Sequence, residues 1–294
     1  MHAHRLPLLL GTALLSACAA QAPSGPQPVV IDFALLANGH PARCGAPLGP
    51  LGADARPSTL RDARFYVQDV ALVRADGQAV PLALDHDDWQ DGQVALLDFE
   101  DATGTCQGGT PATRTQVRGQ APAGDYVGLR FSLGVPEALN HTSTELQGPP
   151  LDIAAMGWSW QAGRKFAKVE VNPEGGVAKA DGARAPSWYL HLGSTGCSGN
   201  PLTGETVACL RANRVPVTLR GFDPRRDAVA LDLSSLLAGS QLGRDQGGAV
   251  GCMSGPDDPE CPAVFARLGL GLGLASGQPL PDGQVPAFRV VPRP

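Results

Sequence analysis

Apolar residues along this chain recur in short runs between turn residues. Within the runs the period is two rather than 3.6, the spacing of a strand with one buried face. Lys165-Phe166-Ala167-Lys168-Val169-Glu170-Val171 shows the alternation most plainly. The pattern predicts strands at Val29–Leu36, Ala63–Val73, Val94–Phe99, Tyr126–Leu133, Phe166–Val171, Trp188–Leu192, Val215–Phe222 and Ala228–Leu233. An Asp76-Gly77 turn leads into Ala79–Leu84 as a hairpin partner for the second of these. Helical periodicity is weak, and Leu233 to Leu242 is the one short helix expected. The glycine-rich run Leu268 to Leu274 reads as a last strand or a loop. Many short strands at even spacing imply an all-β fold, an antiparallel β-sandwich or a barrel-like sheet. Neither an internal repeat nor a domain boundary is visible, so residues 29–294 read as a single domain.

Composition agrees. Gly (37) and Pro (27) fill about a fifth of the 294 residues, against a usual share of about an eighth. So many breakers disfavour a helical bundle and suit a turn-rich β domain. The chain has 23 basic and 28 acidic residues and no basic cluster, which argues against a nucleic-acid partner. No apolar run reaches the roughly 18 residues that span a bilayer. The N-terminus reads as an export signal, with Arg5 ahead of the apolar segment Leu6 to Leu15. It ends in Leu15-Ser16-Ala17-Cys18, a bacterial lipobox pattern in which Cys18 is lipidated. Residues 1–18 are therefore expected to be a lipoprotein signal and residues 19–28 a tether. Acyl chains on Cys18 would hold the protein at a membrane, here the periplasmic face of the outer membrane. Six cysteines remain: Cys44, Cys106, Cys197, Cys209, Cys252 and Cys261. An even number in an exported chain implies disulfides. Proximity suggests Cys197–Cys209 and Cys252–Cys261, which leaves Cys44–Cys106. The absence of CxxC weakens zinc-ribbon and thioredoxin readings.

Four histidines lie beyond the signal: His40, His86, His141 and His191. His141 follows a strand, and His191 lies inside one, next to a Gly-Ser-Thr-Gly turn. His86 sits among Asp85, Asp87 and Asp88, as in a solvated loop that lacks the EF-hand spacing. Met156-Gly157-Trp158-Ser159-Trp160, if extended, sets Met156, Trp158 and Trp160 on one face. Core packing explains such a stripe. A thioether with imidazoles is also a ligand set suited to copper. Arg164 and Lys165 read as a solvated face, with a partner-binding surface as the alternative. A secreted hydrolase built on Ser194 or an acidic dyad is one alternative, although Gly251-Cys252-Met253-Ser254-Gly255 carries its serine one place late for a nucleophile elbow. A structural interaction protein whose Met/Trp face is core is the other.

Several of these segments occur together and in order. They are Arg64-Phe65-Tyr66-Val67, Leu96-Leu97-Asp98-Phe99-Glu100-Asp101, Gly134-Val135-Pro136 with Asn140-His141, and Met156-x-Trp158-Ser159-Trp160-Gln161. Lys165-Phe166, His191-Leu192-Gly193-Ser194-Thr195-Gly196-Cys197 and Gly251-Cys252-Met253-Ser254 complete the set. In this the chain resembles the MbnP-like family of four-Cys metallo-mystery-pair proteins, from about Phe33 to Leu270. The resemblance implies a periplasmic copper-binding protein that is not an enzyme but the substrate of one. Its partner would be a di-haem protein of the MbnH type, related to cytochrome c peroxidases and MauG. That partner would oxidise a WxW tryptophan, here Trp158 or Trp160, to kynurenine, and one copper ion would bind in consequence. His141 and His191 lie inside family motifs and Met156 stands beside the tryptophans, so these three are the expected ligands. His40, ahead of Cys44 in a disulfide-fixed loop, is the fourth candidate. Gly157 departs from the pattern, which has an aromatic residue there.

Overall fold

The structure is a computed structural model; it describes Met1 and residues 25–159, 163–200, 205, 207–272 and 285–293. Cys18, the lipobox and Trp160 lie outside the described residues. Two sheets face each other as a sandwich, and the fold is all-β without closing into a barrel. The larger sheet runs in the order Trp188–Leu192, Ala167–Pro173, Arg56–Arg74, Val94–Asp98, Gln90–Asp91, His86–Asp87; Tyr126–Leu133 and Val215–Arg220 extend it beside the far half of Arg56–Arg74. The smaller sheet runs Phe288–Pro292, Asp227–Asp232, Pro26–Ala37, Gln116–Pro122, Ala83–Leu84. Among the named strands every pairing is antiparallel except Pro26–Ala37 with Asp227–Asp232, which is parallel.

The 19-residue strand Arg56–Arg74 is the spine. Its first half pairs with Ala167–Pro173 and Val94–Asp98, its second half with Tyr126–Leu133. The change of partner occurs at a bulge. Arg130 faces Ala71 and Ser132 faces Gln68, so two residues of the long strand oppose one of its neighbour, and Asp69 there has φ +54°. Such a bulge bends and twists a strand, which lets one strand serve both ends of a sandwich.

Alternate residues of the strands fill the gap between the sheets. Phe33 and Phe288 from the smaller sheet meet Phe65 and Phe131 from the larger, edge to face, with ring centroids 5.4 to 6.1 Å apart. Three disulfides join Cys44–Cys106, Cys197–Cys209 and Cys252–Cys261, the pairing that proximity suggests.

Some boundaries differ from the pattern. The first strand begins at Pro26, not Val29, because the ladder to Gln116–Pro122 continues past the apolar run; the last residues expected in the tether are therefore in the sheet. The helix expected over Leu233–Leu242 is one turn, Leu233–Leu236, capped by the Asp232 carboxylate, and Gly239 follows too closely to continue it. A helix at Cys261–Arg267 was not expected; it carries Pro262 in its first turn and buries Val264 and Phe265. Leu268 to Leu272 is a turn, the loop alternative, and the rest of that run lies outside the described residues. Among the described residues no helix is long and apolar enough to cross a membrane.

Candidate functional site

The outer face of the larger sheet is polar where three strands lie side by side. Register places Arg64, Lys168 and His191 in one row and Asp62, Glu170 and Tyr189 in the next. The two rows are opposite in charge, and they pair. Arg64 and Lys168 both donate to Asp62, and Lys168 lies 3.0 Å from Glu170 Oε1. His191 Nε2 donates to the same Oε1 at 2.8 Å, and Arg61 Nε reaches Oε2 at 3.0 Å. Arg64, Asp62 and Glu170 are buried, whereas His191 is partly exposed. Burial would raise the Glu170 carboxyl, but the His191 hydrogen bond and the Lys168 charge outweigh it and hold the group at about 2. Glu170 is thus a fixed anion that orients His191. The carboxylate can only accept, so Nε2 carries the proton of this bond, and in the neutral ring the lone pair would be on Nδ1.

Trp158 sits beside this imidazole, ring centroids 6.2 Å apart and edge to face. Its loop is held by Lys165, whose Nζ donates to the Ala155 and Gly157 carbonyls at 3.0 and 2.8 Å. The indole packs on the backbone of Gly193. A Cβ there would lie 3.1 Å from two ring carbons and 3.0 Å from the Arg164 carbonyl. Gly193 is held in turn by Ser254 Oγ, which accepts from its amide at 3.1 Å and donates to the His191 carbonyl at 2.9 Å.

His141 ends the short helix Glu137–Asn140, and Arg164 fixes that end. The Arg164 guanidinium, 1% exposed, donates to the carbonyls of Leu139, Asn140 and Leu151 and to Thr142 Oγ1. These groups bind it through dipoles rather than full charges, and burial lowers its pKa. Asn140 Oδ1 accepts from the Arg164 amide at 3.0 Å, while Asn140 Nδ2 donates to His141 Nε2 at 3.0 Å. His141 Nε2 is therefore an acceptor nitrogen, the form that ligates metals. It also lies 3.3 Å from Cys209 Sγ. A cleft of about 1030 Å³ opens here, with His141, Thr144, Trp158, Arg164 and Val207 among its walls. Trp158 therefore borders both histidines' surroundings: it touches the His191 ring and shares the cleft with His141.

The other expected residues lie elsewhere. Met156 closes a 3₁₀ turn, Ala154–Met156, and is fully buried in the main core, not in the cleft wall. The extended Met/Trp stripe is therefore broken at Gly157, where the short strand Gly157–Ser159 begins. His40 is exposed in the two-residue strand His40–Pro41 on the smaller sheet. His86 is exposed in a hairpin. Arg164 and Lys165 are not a solvated face: the first is buried and the second half-buried, because each satisfies the carbonyls of a loop around the cleft. Ser194, the candidate nucleophile, is 2% exposed and donates to the Ala212 carbonyl at 2.9 Å, while His191 is committed to Glu170. That geometry does not activate a serine. Sequence reasoning missed Glu170, Asp62 and Arg164 as site residues. Only Glu170 left a signal, in the Lys168-Val169-Glu170 alternation, which sets two charges on one face of a buried strand.

A model of the MbnP family matches residues 26–254. The solved structure of MbnP from Methylosinus trichosporium is 47% identical, with a TM-score of 0.86 over 92% of this chain and 99% of that one. No curated protein matches the chain. At that identity and coverage the likeness extends beyond fold to the whole chain, and this protein belongs to the MbnP family.

Proposed function

We propose that this protein is a periplasmic, lipid-anchored carrier that binds one copper ion in copper acquisition or handling. A WxW tryptophan, Trp158 or Trp160, is oxidised to kynurenine by a di-haem partner of the MbnH or MauG kind. The protein is the substrate of that haem enzyme rather than a catalyst. The observation that supports this reading best is the position of Trp158, in contact with the His191 ring at 6.2 Å and in the wall of the cleft beside His141.

The donor set suits copper. In its neutral form His191 would offer Nδ1, because Glu170 holds Nε2, and the His141 Nε2 that accepts from Asn140 would exchange that hydrogen bond for the metal. Imidazoles of that kind favour copper over the hard cations. Buried Met156 and exposed His40 stand apart from this pair, so the reading takes His141 and His191 as the ligands. Two equivalents of peroxide, reduced to water at the haem partner, would open the five-membered ring of the indole to N-formylkynurenine, and hydrolysis would release C2 as formate and leave an aniline nitrogen and a ketone in the cleft wall. Glu170, Lys165 and Arg164 meanwhile keep the two imidazoles and the tryptophan loop in place.

The test is copper content after co-expression with the di-haem partner. One copper per chain is expected, lost in His141→Ala and in His191→Ala while the fold persists by circular dichroism. Undiminished copper in both variants would overturn the ligand assignment.

A further inference from the structure

The hairpin that follows His191 carries a second set of donors. Thr195–Ser198 pairs with Ala208–Arg211, and register sets Cys197 directly opposite Cys209. Their disulfide lies against His141, with Nε2 3.3 Å from Cys209 Sγ. Nε2 and the two sulfurs all lie within 4.8 Å of one another. The three bridges differ in access: Cys106, Cys252 and Cys261 are fully buried, so each of the other two bridges has a shielded sulfur. Cys197 and Cys209 are both half-buried.

We propose that the Cys197–Cys209 bridge is a reducible mask over a soft-metal site made of His141, Cys197 and Cys209. An external dithiol supplies two electrons and two protons, the S–S bond breaks, and the dithiol leaves as its own disulfide. The two thiols then release their protons as the metal binds. One imidazole and two thiolates are the donors that Zn²⁺ and Cu(I) take, with a coordination position left open. The inference rests on the copper reading in one respect, that His141 serves as a ligand. It adds that the redox state of the hairpin selects between an imidazole-only and a sulfur-rich surrounding for the ion.

Contacts other than the bridge hold the base of the hairpin and the loop of His141. At the base of the hairpin Ser194 Oγ donates to the Ala212 carbonyl at 2.9 Å, and Asn213 Nδ2 donates to the Gly193 carbonyl at 2.8 Å. Arg164 independently pins the end of the helix before His141 through the Leu139 and Asn140 carbonyls. Reduction therefore frees two sulfurs that stay opposite each other and beside the imidazole.

The experiment uses the full chain without its haem partner. Graded dithiothreitol, followed by differential alkylation and peptide mapping, reads the order in which the bridges open. The reduced protein, freed of reductant under argon, is titrated with Co²⁺. Cys197 and Cys209 should be alkylated first, and one Co²⁺ should bind with a thiolate-to-cobalt charge-transfer band that the oxidised protein lacks. His141→Ala should weaken that binding by about tenfold or more. Cys197→Ser/Cys209→Ser should abolish the band and keep the fold. Earlier opening of another bridge would overturn the proposal. So would a reduced protein without the band, a band surviving the double variant, or an unfolded double variant. Absence of kynurenine or of copper in the oxidised protein would bring down the functional reading and leave the cobalt result standing.

Discussion

Glu260 is a buried acid whose removal should reverse part of the pH dependence of stability. It is 2% exposed, accepts from Trp188 Nε1 at 3.2 Å and from the Gly251 amide at 2.8 Å, and so ties the Gly251–Ser254 segment to the His191 strand. Burial raises its pKa from the ordinary 4.5 to about 7, against the lowering effect of those two hydrogen bonds. The folded state therefore holds the proton longer than the unfolded chain does. The stability this contributes is fully present below about 4.5 and is lost as pH rises through about 7. At 1.36 kcal/mol per pH unit the loss is about 3 kcal/mol. Glu260→Gln cannot ionise, but its amide sets a donor against Gly251 N–H or Trp188 Nε1–H, a mismatch costing about 1–3 kcal/mol. Urea unfolding at pH 5 should find the variant less stable by that amount. At pH 8 the gap should close by about 3 kcal/mol, to parity or beyond. Parallel stability profiles for the two proteins from pH 5 to pH 8 would refute the reasoning.

Other perturbations probe the cleft and its supports. Gly193→Ala places a methyl 3.1 Å from the Trp158 ring and 3.0 Å from a backbone oxygen; it should cost about 1–3 kcal/mol in denaturant unfolding and alter tryptophan fluorescence. Glu170→Gln removes the anion that orients His191; copper titration should show affinity lower by about 10- to 100-fold. Removing the Cys44–Cys106 bridge, whose cysteines are 62 residues apart, should lower stability by about 4 kcal/mol in the chain-entropy account, read from the urea midpoint.

Much of the architecture was legible because a period of two reports directly which residues face a sheet's interior. Phe33, Phe65 and Phe131 follow from it. Which strands become neighbours does not follow, since pairing joins residues far apart in sequence. The parallel match of Asp32 with Ala228 and the row Arg64–Lys168–His191 exist only once three strands are aligned. That is why Glu170 and Asp62 escaped notice as the partners of His191 and Lys168. The Met156–Trp158 stripe misled for a local reason: period two holds only while the backbone is extended, and Ala154–Met156 is a 3₁₀ turn that sends Met156 into the core. Arg164 misled because charge is usually a surface property, and here it satisfies the carbonyls left at the end of a helix of four residues. Of the histidines picked out by position after and within strands, His191 contacts the Trp158 ring and His141 shares a cleft with it.

The central claim is that a tryptophan at this cleft is chemically converted. Peptide mass spectrometry of protein made together with its di-haem partner tests it most directly, on the peptide from Met156 to Arg164. The account predicts a gain of roughly 4 Da on Trp158 or Trp160, the change from tryptophan to kynurenine, and the fragment ions assign the position. An unmodified peptide from cells that express the partner would contradict it.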